Sequence, residues 1–313
     1  MLRIGITGQN GFIGKHLFNA IGLYPQDFQR IEFKKEHFGN PDQLDGFVKQ
    51  CDVIVHLAGM NRHQDPQIIF NTNINLAHSL ASALKRTKSD AHILFSSSTQ
   101  EERDNEYGSS KQRARQILID QAKENNSLFT GLIIPNVFGP FGKPFYNSVV
   151  ATFCSQLANK QEPKIDIDGE IKLIYVTELV DFIIKQIKDR VSAEKLYVQH
   201  TKEIRVSTLL DLLKKFDKEY INLGVIPAFS DSFELNLFNT FRCYINFEEH
   251  FPVMFKKHID SRGAFVEIVR LNIGGQVSFS TTVPGITRGN HFHTRKIERF
   301  AVIKGSALIQ LRR

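Results

Sequence analysis

Cysteine is scarce in this chain: Cys51, Cys154 and Cys243 are the only three in 313 residues. They lie far apart and form no CxxC pair, which argues against a disulfide framework and makes a reducing cytoplasm the expected setting. Long hydrophobic runs are missing too. No apolar stretch approaches the length that spans a bilayer, so no membrane association is expected. The first residues, Met1-Leu2-Arg3-Ile4-Gly5-Ile6, enter a strand directly and lack the plan of a signal peptide. There is also no basic stripe interleaved with aromatic side chains, so nucleic acid is not an expected partner. The formal charge of +7 is then explained first by scattered solvated lysines and next by anionic ligands. What is present is an ordinary globular composition, 42% hydrophobic and 23% charged. The length suits two domains, or one large α/β domain plus part of another.

Residues 3–7 form a short β run, followed by Gly8-Gln9-Asn10-Gly11-Phe12-Ile13-Gly14 and an amphipathic helix through Leu17 and Ile21. Glycines in such a loop permit a tight strand-to-helix turn, close backbone approach to a pyrophosphate, and close helix–strand packing. A glycine loop between strand and helix at the start of a chain predicts a dinucleotide site. The next strand, around residues 30–33, leads into Lys34 and Lys35, with Glu32 inside it. An acid at this point favours NAD and a base favours the extra phosphate of NADP. The two lysines therefore point to NADPH, with a pair of ordinary surface lysines as the alternative. Residues 52–59 read as a buried parallel strand ending in the small-residue turn Leu57-Ala58-Gly59. A helix over residues 70–84 carries Asn71, Asn73 and Asn75. Residues 92–98 form another strand, with Ser96, Ser97 and Ser98 at its C-terminal end, the edge where open α/β sheets bind ligands.

Tyr107-Gly108-Ser109-Ser110-Lys111 opens the following helix. An i, i+4 pair shares one helical face, so the Lys111 ammonium is expected near the Tyr107 hydroxyl. A positive charge there favours phenolate and should lower the tyrosine from its ordinary pKa of about 10. That would tune it as a general acid or base for a carbonyl/alcohol pair beside a nicotinamide. Taken with TGxxGxxG over residues 7–14, the turn over 56–59, Asn73, FSSS over 95–98, PNVFGP over 135–140 and LIYVTELV over 173–180, roughly the first 240 residues resemble an extended short-chain dehydrogenase/reductase. The resemblance implies an α/β fold with a Rossmann-type parallel sheet and a small substrate subdomain. It implies cofactor contacts at Gly8, Asn10, Gly11, Phe12, Ile13, Gly14, Lys34, Lys35, Leu57, Ala58, Gly59, Asn73 and Pro135. It also implies that Ser98, with Ser97 as the fallback, hydrogen-bonds the substrate oxygen, that Tyr107 transfers the proton, and that Lys111 orients the ribose and supports the tyrosine.

Three departures from the family pattern sharpen the expected activity. Dehydratases of the family carry an Asp-Glu pair after the Ser/Thr position, where this chain has Thr99 and Gln100, so loss of water is not expected. An arginine common before the proline of the PNVFG segment is replaced by Ile134. Only eight residues separate Ser98 from Tyr107, so that connection must be tight and is expected to shape substrate choice.

From about residue 131, segments such as 146–157 and 208–223 are expected to build the substrate subdomain, with Asn136, Tyr146 and Asn147 as sugar or phosphate contacts. An ordinary capped helix start is the alternative for residues 146 and 147. Strand-like alternation resumes over residues 258–268 and 276–283. The segment over residues 285–313 then places His291 and His293 two apart, on one face of a strand, and Glu298 five residues later. These supply three N/O donors for a divalent metal such as zinc, with a solvated strand face as the alternative. The spacing Gly285-x5-His291-x-His293-x4-Glu298-x6-Gly305 resembles the first motif of the cupin barrels, without the second motif. An incomplete cupin domain over 246–313, after a reductase domain over 1–245, is the expected organisation, with weak or absent metal retention. Arg288-Gly289-Asn290-His291 also resembles a segment of metal-free sugar-nucleotide epimerases, in which that histidine is a base.

The two halves together resemble the bifunctional epimerase–reductases of capsule and O-antigen synthesis. That resemblance implies a UDP-2-acetamido-2,6-dideoxy-4-keto-hexose as substrate and C3 epimerisation by the cupin when complete. It further implies NADPH reduction of the C4 ketone towards UDP-N-acetyl-L-fucosamine, in a homodimer. Competing expectations are an NAD-retaining nucleotide-sugar 4-epimerase and a non-catalytic NADP-sensing module.

Overall fold

The computed structural model describes residues 1–289 and 299–310. The chain divides into two compact units, Met1–Val253 with Leu271–Ile273, and Met254–Arg270 with Gly274–Arg313.

In the first unit, β1 (Leu2–Thr7), β2 (Phe28–Ile31), β3 (Val53–His56), β4 (His92–Ser98), β5 (Phe129–Ile134) and β8 (Ala193–Tyr197) form one parallel sheet in the order β2-β1-β3-β4-β5-β8. The sheet is Rossmann-type, and the chain reverses its direction of travel between β1 and β3. At such a switch point the loops leaving the strand ends splay apart and open a crevice for a ligand. Alternation within the buried strands feeds two cores. Val53 and Val55 pack with Ile4, Ile6, Leu17, Ile21, Leu179 and Ile183 on one face. Ile54 packs with Phe47, Leu80, Ile93, Phe95 and Leu118 on the other.

The helices that cover these faces have clear local causes. Helix α1 (Phe12–Ile21) begins at Gly11. In α2 (Pro41–Gln50), the Asn40 side chain accepts from the amides of Asp42 (3.1 Å) and Gln43 (3.2 Å), and Pro41 presets the first turn. Helix α3 runs over Pro66–Thr87, longer than the periodicity of 70–84 suggests. Asp65 caps it through the Gln67 amide at 2.9 Å, and Lys88 closes it in the left-handed conformation. Helix α4 (Glu106–Glu124) is capped by Asn105, which accepts from Gly108 N at 2.8 Å. Strand β2 lies earlier than expected because Phe33 leaves the ladder. Its amide bonds the Gln9 side chain at 3.1 Å while its ring is buried.

The subdomain is built on a second sheet. Strand β6 (Asn136–Phe138) pairs parallel with β7 (Glu170–Tyr175), and β7 pairs antiparallel with β9 (Lys202–Arg205). Around it lie α5 (Val149–Ala158), α7 (Val206–Phe216) and α8 (Ser232–Arg242), sharing a core that includes Phe138, Phe153, Leu209, Phe216 and Phe238. Helix α6 (Val176–Asp189) connects the subdomain back to the main sheet. The segment 208–223, read as one element in the sequence, is α7 followed by a wide π-type turn over Asp217–Asn222. A two-residue strand β10 (Val225–Ile226) and a one-turn helix α9 (Phe247–His250) complete this unit.

The second unit contains β11 (Lys257–Asp260), β12 (Gly263–Leu271) and β13 (Gln276–Ser280), paired antiparallel in sequence. The Asp260 carboxylate closes the first turn by accepting from Arg262 N at 2.8 Å. His291, His293 and Glu298 lie outside the described residues, so the metal reading meets no geometry. Among the described residues, no helix is long and apolar enough to cross a membrane, and no cluster of His, Cys, Asp and Glu could hold a metal.

Candidate active site

Gly8, Asn10 and Gly11 follow β1, and Phe12, Ile13 and Gly14 form the first turn of α1. Gly8 has φ +78°, and a Cβ there would lie 2.8 Å from Ala58 N. A Cβ on Gly14 would stand 2.2 Å from the Gly8 carbonyl oxygen. Only bare backbone can turn this tightly while α1 presses against the loop. The helix start carries no side-chain cap and no acidic residue in its first turn. Its amides are thus free for an anion, and the dipole favours one. A dinucleotide pyrophosphate fits this cradle. Across the switch point, Leu57 and Ala58 are drawn to the same place by bonds from their amides to Thr7, to its carbonyl at 3.1 Å and to its hydroxyl at 3.4 Å. Lys34 and Lys35 are exposed just beyond β2, where an added phosphate on the ribose could meet them.

Asn73 is buried in α3 and serves the loop after β3. Its side chain accepts from Met60 N (2.7 Å) and donates to Met60 O (2.9 Å) and Ser110 Oγ (2.9 Å). The structure gives it a clamping task, because its amide is occupied by protein partners. Pro135 is buried between β5 and β6. Ile134, at the place of the family's arginine, is also buried, and so offers nothing to a pyrophosphate.

Ser98, Tyr107 and Lys111 converge at the C-terminal edge of β4. Lys111 is buried, donates to the Ser96 carbonyl at 2.8 Å, and lies 5.0 Å from the Phe95 ring centre and 5.9 Å from that of Tyr107. A Cβ on Gly59 would stand 3.2 Å from its Nζ, so the β3 turn and the lysine share one wall. Burial pulls Lys111 down to about 8, against the opposing pull of Glu101. His56 packs face to face with Phe95 at 5.7 Å and lies 2.6 Å from Thr7 Oγ1. Burial, aided by the Lys111 charge, lowers it to about 3, so it stays neutral. Tyr107 corrects an expectation. It is pushed up to about 12, not down, chiefly by burial, while a hydrogen bond with Ser98 opposes the rise and nearby Tyr146 adds to it. The i, i+4 spacing brings the ammonium under the ring, and its hydrogen bond goes to a main-chain carbonyl, so desolvation wins.

Ser97, the alternative serine, is already engaged. Its hydroxyl donates to Glu101, which is ion-paired with Arg115. Ser98 instead accepts from Gln100 N at 3.2 Å and stands beside Tyr107. The short link to Tyr107 is tight, as its length demands: a 3-10 turn over Thr99–Glu102 runs almost directly into the Asn105 cap.

Asn136 and Asn147 both line a cavity of about 390 Å³, together with Tyr146, Thr152 and Arg62. Arg62 was not singled out by the sequence. Its Nη1 donates to the carbonyls of Phe145 (2.9 Å) and Tyr146 (2.6 Å), holding the cavity wall. Its signal was only that of a polar residue following the β3 turn. Among the described residues, no carboxylate lines this cavity, which suits an anionic ligand.

Comparison with known proteins agrees with this fold. The polysaccharide biosynthesis C-terminal domain family matches residues 258–313. A Pseudomonas aeruginosa protein named UDP-2-acetamido-2,6-beta-L-arabino-hexul-4-ose reductase is 33% identical over 317 residues, spanning 99% of this chain and 83% of that protein. The crystal structure of the capsular polysaccharide assembling protein CapF from Staphylococcus aureus is similar at a TM-score of 0.77 and 31% identity, covering 92% of this chain and 77% of that one. RMD from Pseudomonas aeruginosa complexed with NADPH shares the fold at a TM-score of 0.62 and 20% identity, over 70% of this chain and 83% of that one. The NAD dependent epimerase/dehydratase family matches residues 4–198, and this chain belongs to that family.

Proposed function

We propose that this chain is an NADPH-dependent ketoreductase of nucleotide-sugars. In this reading it reduces the C4 ketone of a UDP-2-acetamido-2,6-dideoxy-4-keto-hexose on the route to UDP-N-acetyl-L-fucosamine. The observation that carries the proposal is the convergence of Ser98, Tyr107 and Lys111 beside the glycine cradle. The similarity to a protein named as such a reductase supports it. NADPH, held by the α1 start, the Leu57-Ala58-Gly59 turn and the exposed Lys34 and Lys35, supplies the hydride when bound. Ser98 donates a hydrogen bond to the ketone oxygen, and the Tyr107 hydroxyl passes that oxygen its proton, leaving the alcohol. Lys111 keeps a positive charge beneath the tyrosine as the phenolate forms. Asn136, Asn147 and Arg62 hold the nucleotide-sugar in the subdomain cavity.

The domain assignment goes with this reading: a reductase over 1–245 and a cupin segment over 246–313, in a cytoplasmic homodimer. Two imidazoles and a carboxylate, from His291, His293 and Glu298, form a donor set that suits zinc. C3 epimerisation is assigned to the cupin domain, and no step of the ketone reduction runs through the metal. Mixing the protein with NADPH and the UDP-4-keto-6-deoxy sugar should consume absorbance at 340 nm and yield the C4 alcohol. No consumption with any such sugar would refute the proposal.

A further inference from the structure

A buried ion pair behind the strand-end serines has no part in the chemistry described so far. The Glu101 and Arg115 side chains are 3% and 6% exposed. Arg115 binds Glu101 through two bonds, Nε at 3.0 Å and Nη2 at 2.9 Å, and its Nη1 reaches the Glu194 carbonyl on β8 at 3.3 Å. Ser97 Oγ donates to the same carboxylate, and Lys195 lies 3.9 Å from it. Glu101 belongs to the turn that Ser98 caps, and Gln100 of that turn presses on Gly108, where a Cβ would stand 2.0 Å from its carbonyl oxygen. The carboxylate thus ties β4, β8 and α4 to the eight-residue link between Ser98 and Tyr107. A charge is costly to bury unless it is fully paired, and this one is paired where a solvated loop would cost nothing.

We propose that Glu101 is a positioning residue: by taking up Ser97 and anchoring the turn to Arg115, it leaves Ser98 as the one strand-end hydroxyl set against Tyr107. The inference rests on the reductase reading for its activity measurements, while its anchoring arm stands without them.

The Glu101→Gln variant keeps an acceptor for Ser97 but loses the charge that Arg115 needs. Its kcat should fall by about 10²-fold, the cost of a small misplacement in the site, with KM for the sugar little changed. The groups facing Lys111 are Glu101, His56, Tyr107 and the Ser96 carbonyl. With Glu101 neutral and Arg115 unpaired, the basic limb of the kcat profile should move about one pH unit lower, a change that a loosened turn alone would not produce. Ser98→Ala should lose about 10²-fold or more, and Ser97→Ala less than about tenfold in kcat, because its hydroxyl is turned to Glu101 and away from the reacting oxygen. Amide exchange over residues 98–103 should quicken about tenfold in Glu101→Gln, whereas in Ser98→Ala the quickening should be confined to Gln100, whose amide loses its side-chain acceptor. Where Glu101→Gln does not fold, Glu101→Gln/Arg115→Met removes both charges together and should show the same quickened exchange and reduced kcat.

A variant with wild-type kcat, pH profile and exchange overturns the inference, as does a Ser97→Ala loss equal to that of Ser98→Ala. Wild-type protein inert towards every UDP-4-keto sugar overturns the reductase reading instead, and the exchange measurement then decides on Glu101 alone.

Discussion

Two glycine-to-alanine changes in one domain should have opposite signs. A Cβ on Gly14 would fall 2.2 Å from the Gly8 carbonyl oxygen and 2.8 Å from the Gln9 Cα. Both neighbours are main chain and cannot swing aside. Even a tight Cβ contact needs 3.0–3.4 Å, so α1 or the loop must retreat by roughly 1 Å, an overpacking that costs about 1–3 kcal/mol. The melting midpoint should fall by about 2–4 °C for each of those kcal/mol in a domain of this size. The same retreat withdraws the α1 amides from the pyrophosphate. Losing one or two hydrogen bonds to a charged group, at about 1.5–3 kcal/mol each, should weaken NADPH binding at least tenfold. Gly46 is the control. It lies within α2, and a Cβ there would meet nothing within 4 Å. Gly46→Ala should gain about 0.5–1 kcal/mol from helix propensity alone and leave NADPH binding untouched. Fluorescence titration of NADPH and thermal melts of the three proteins decide the matter. A Gly14→Ala protein that binds NADPH as tightly as wild type and melts at the same temperature would falsify the packing argument for the cradle.

Tyr107→Phe should abolish NADPH consumption while NADPH still binds, and normal turnover by this variant would refute the proton-donor role. Replacing Lys34 and Lys35 with Ala should weaken NADPH more than NADH, as read by separate binding titrations; an equal loss would mean that neither lysine meets the extra phosphate. Arg62→Met should raise KM for the UDP-sugar by about tenfold or more, since it frees the wall that Phe145 and Tyr146 form; an unchanged KM would remove Arg62 from the site. Stability should fall in acid because His56 and His92 are held neutral, lowered by burial to about 3 and about 4. Their folded values lie below the unfolded value of about 6.5, so the unfolded chain takes up protons first as pH drops, at roughly 2 kcal/mol for each histidine by pH 5. Urea unfolding midpoints that match at pH 7 and pH 5 would contradict this.

What the sequence made legible follows from the range of the interactions. The glycine cradle, the buried run of β3 and the serines ending β4 are local patterns, each written within a dozen residues, and the structure places them along one sheet edge. Asn136 and Asn147 could be named, but only the folded subdomain puts them in the same cavity. Arg62 was missed because its partners lie 83 and 84 residues away, and nothing near position 62 marks them. The Glu101–Arg115 pair was missed because a Glu and an Arg in separate elements look like two surface charges until burial is known. Burial also explains the one reversal of sign. Helical spacing correctly brings Lys111 beneath the Tyr107 ring, yet spacing carries no information on desolvation, which dominates both groups.

That reversal bears on how the proposed reaction should depend on pH. A tyrosine held near 12 keeps its proton throughout the neutral range and waits as an acid. A lysine held near 8 remains mostly cationic at pH 7, with its charge beneath the ring. As a ketone gains hydride, its oxygen becomes an alkoxide, a much stronger base than phenolate, so transfer from Tyr107 is favourable even with the raised value. The phenolate then left behind has Lys111 beside it and Ser98 within hydrogen-bonding reach. Run backwards, the same site must first strip a proton from a phenol that burial has made reluctant to lose it. At neutral pH the arrangement therefore holds Tyr107 in the protonated form that reduction uses, and alcohol oxidation, which uses the phenolate, should quicken only as pH rises towards the Tyr107 value. The rate constant for alcohol oxidation, measured between pH 6 and pH 10, tests this: it should climb steadily with pH, and a plateau already reached at pH 6 would mean that Tyr107 is ionised in the working site.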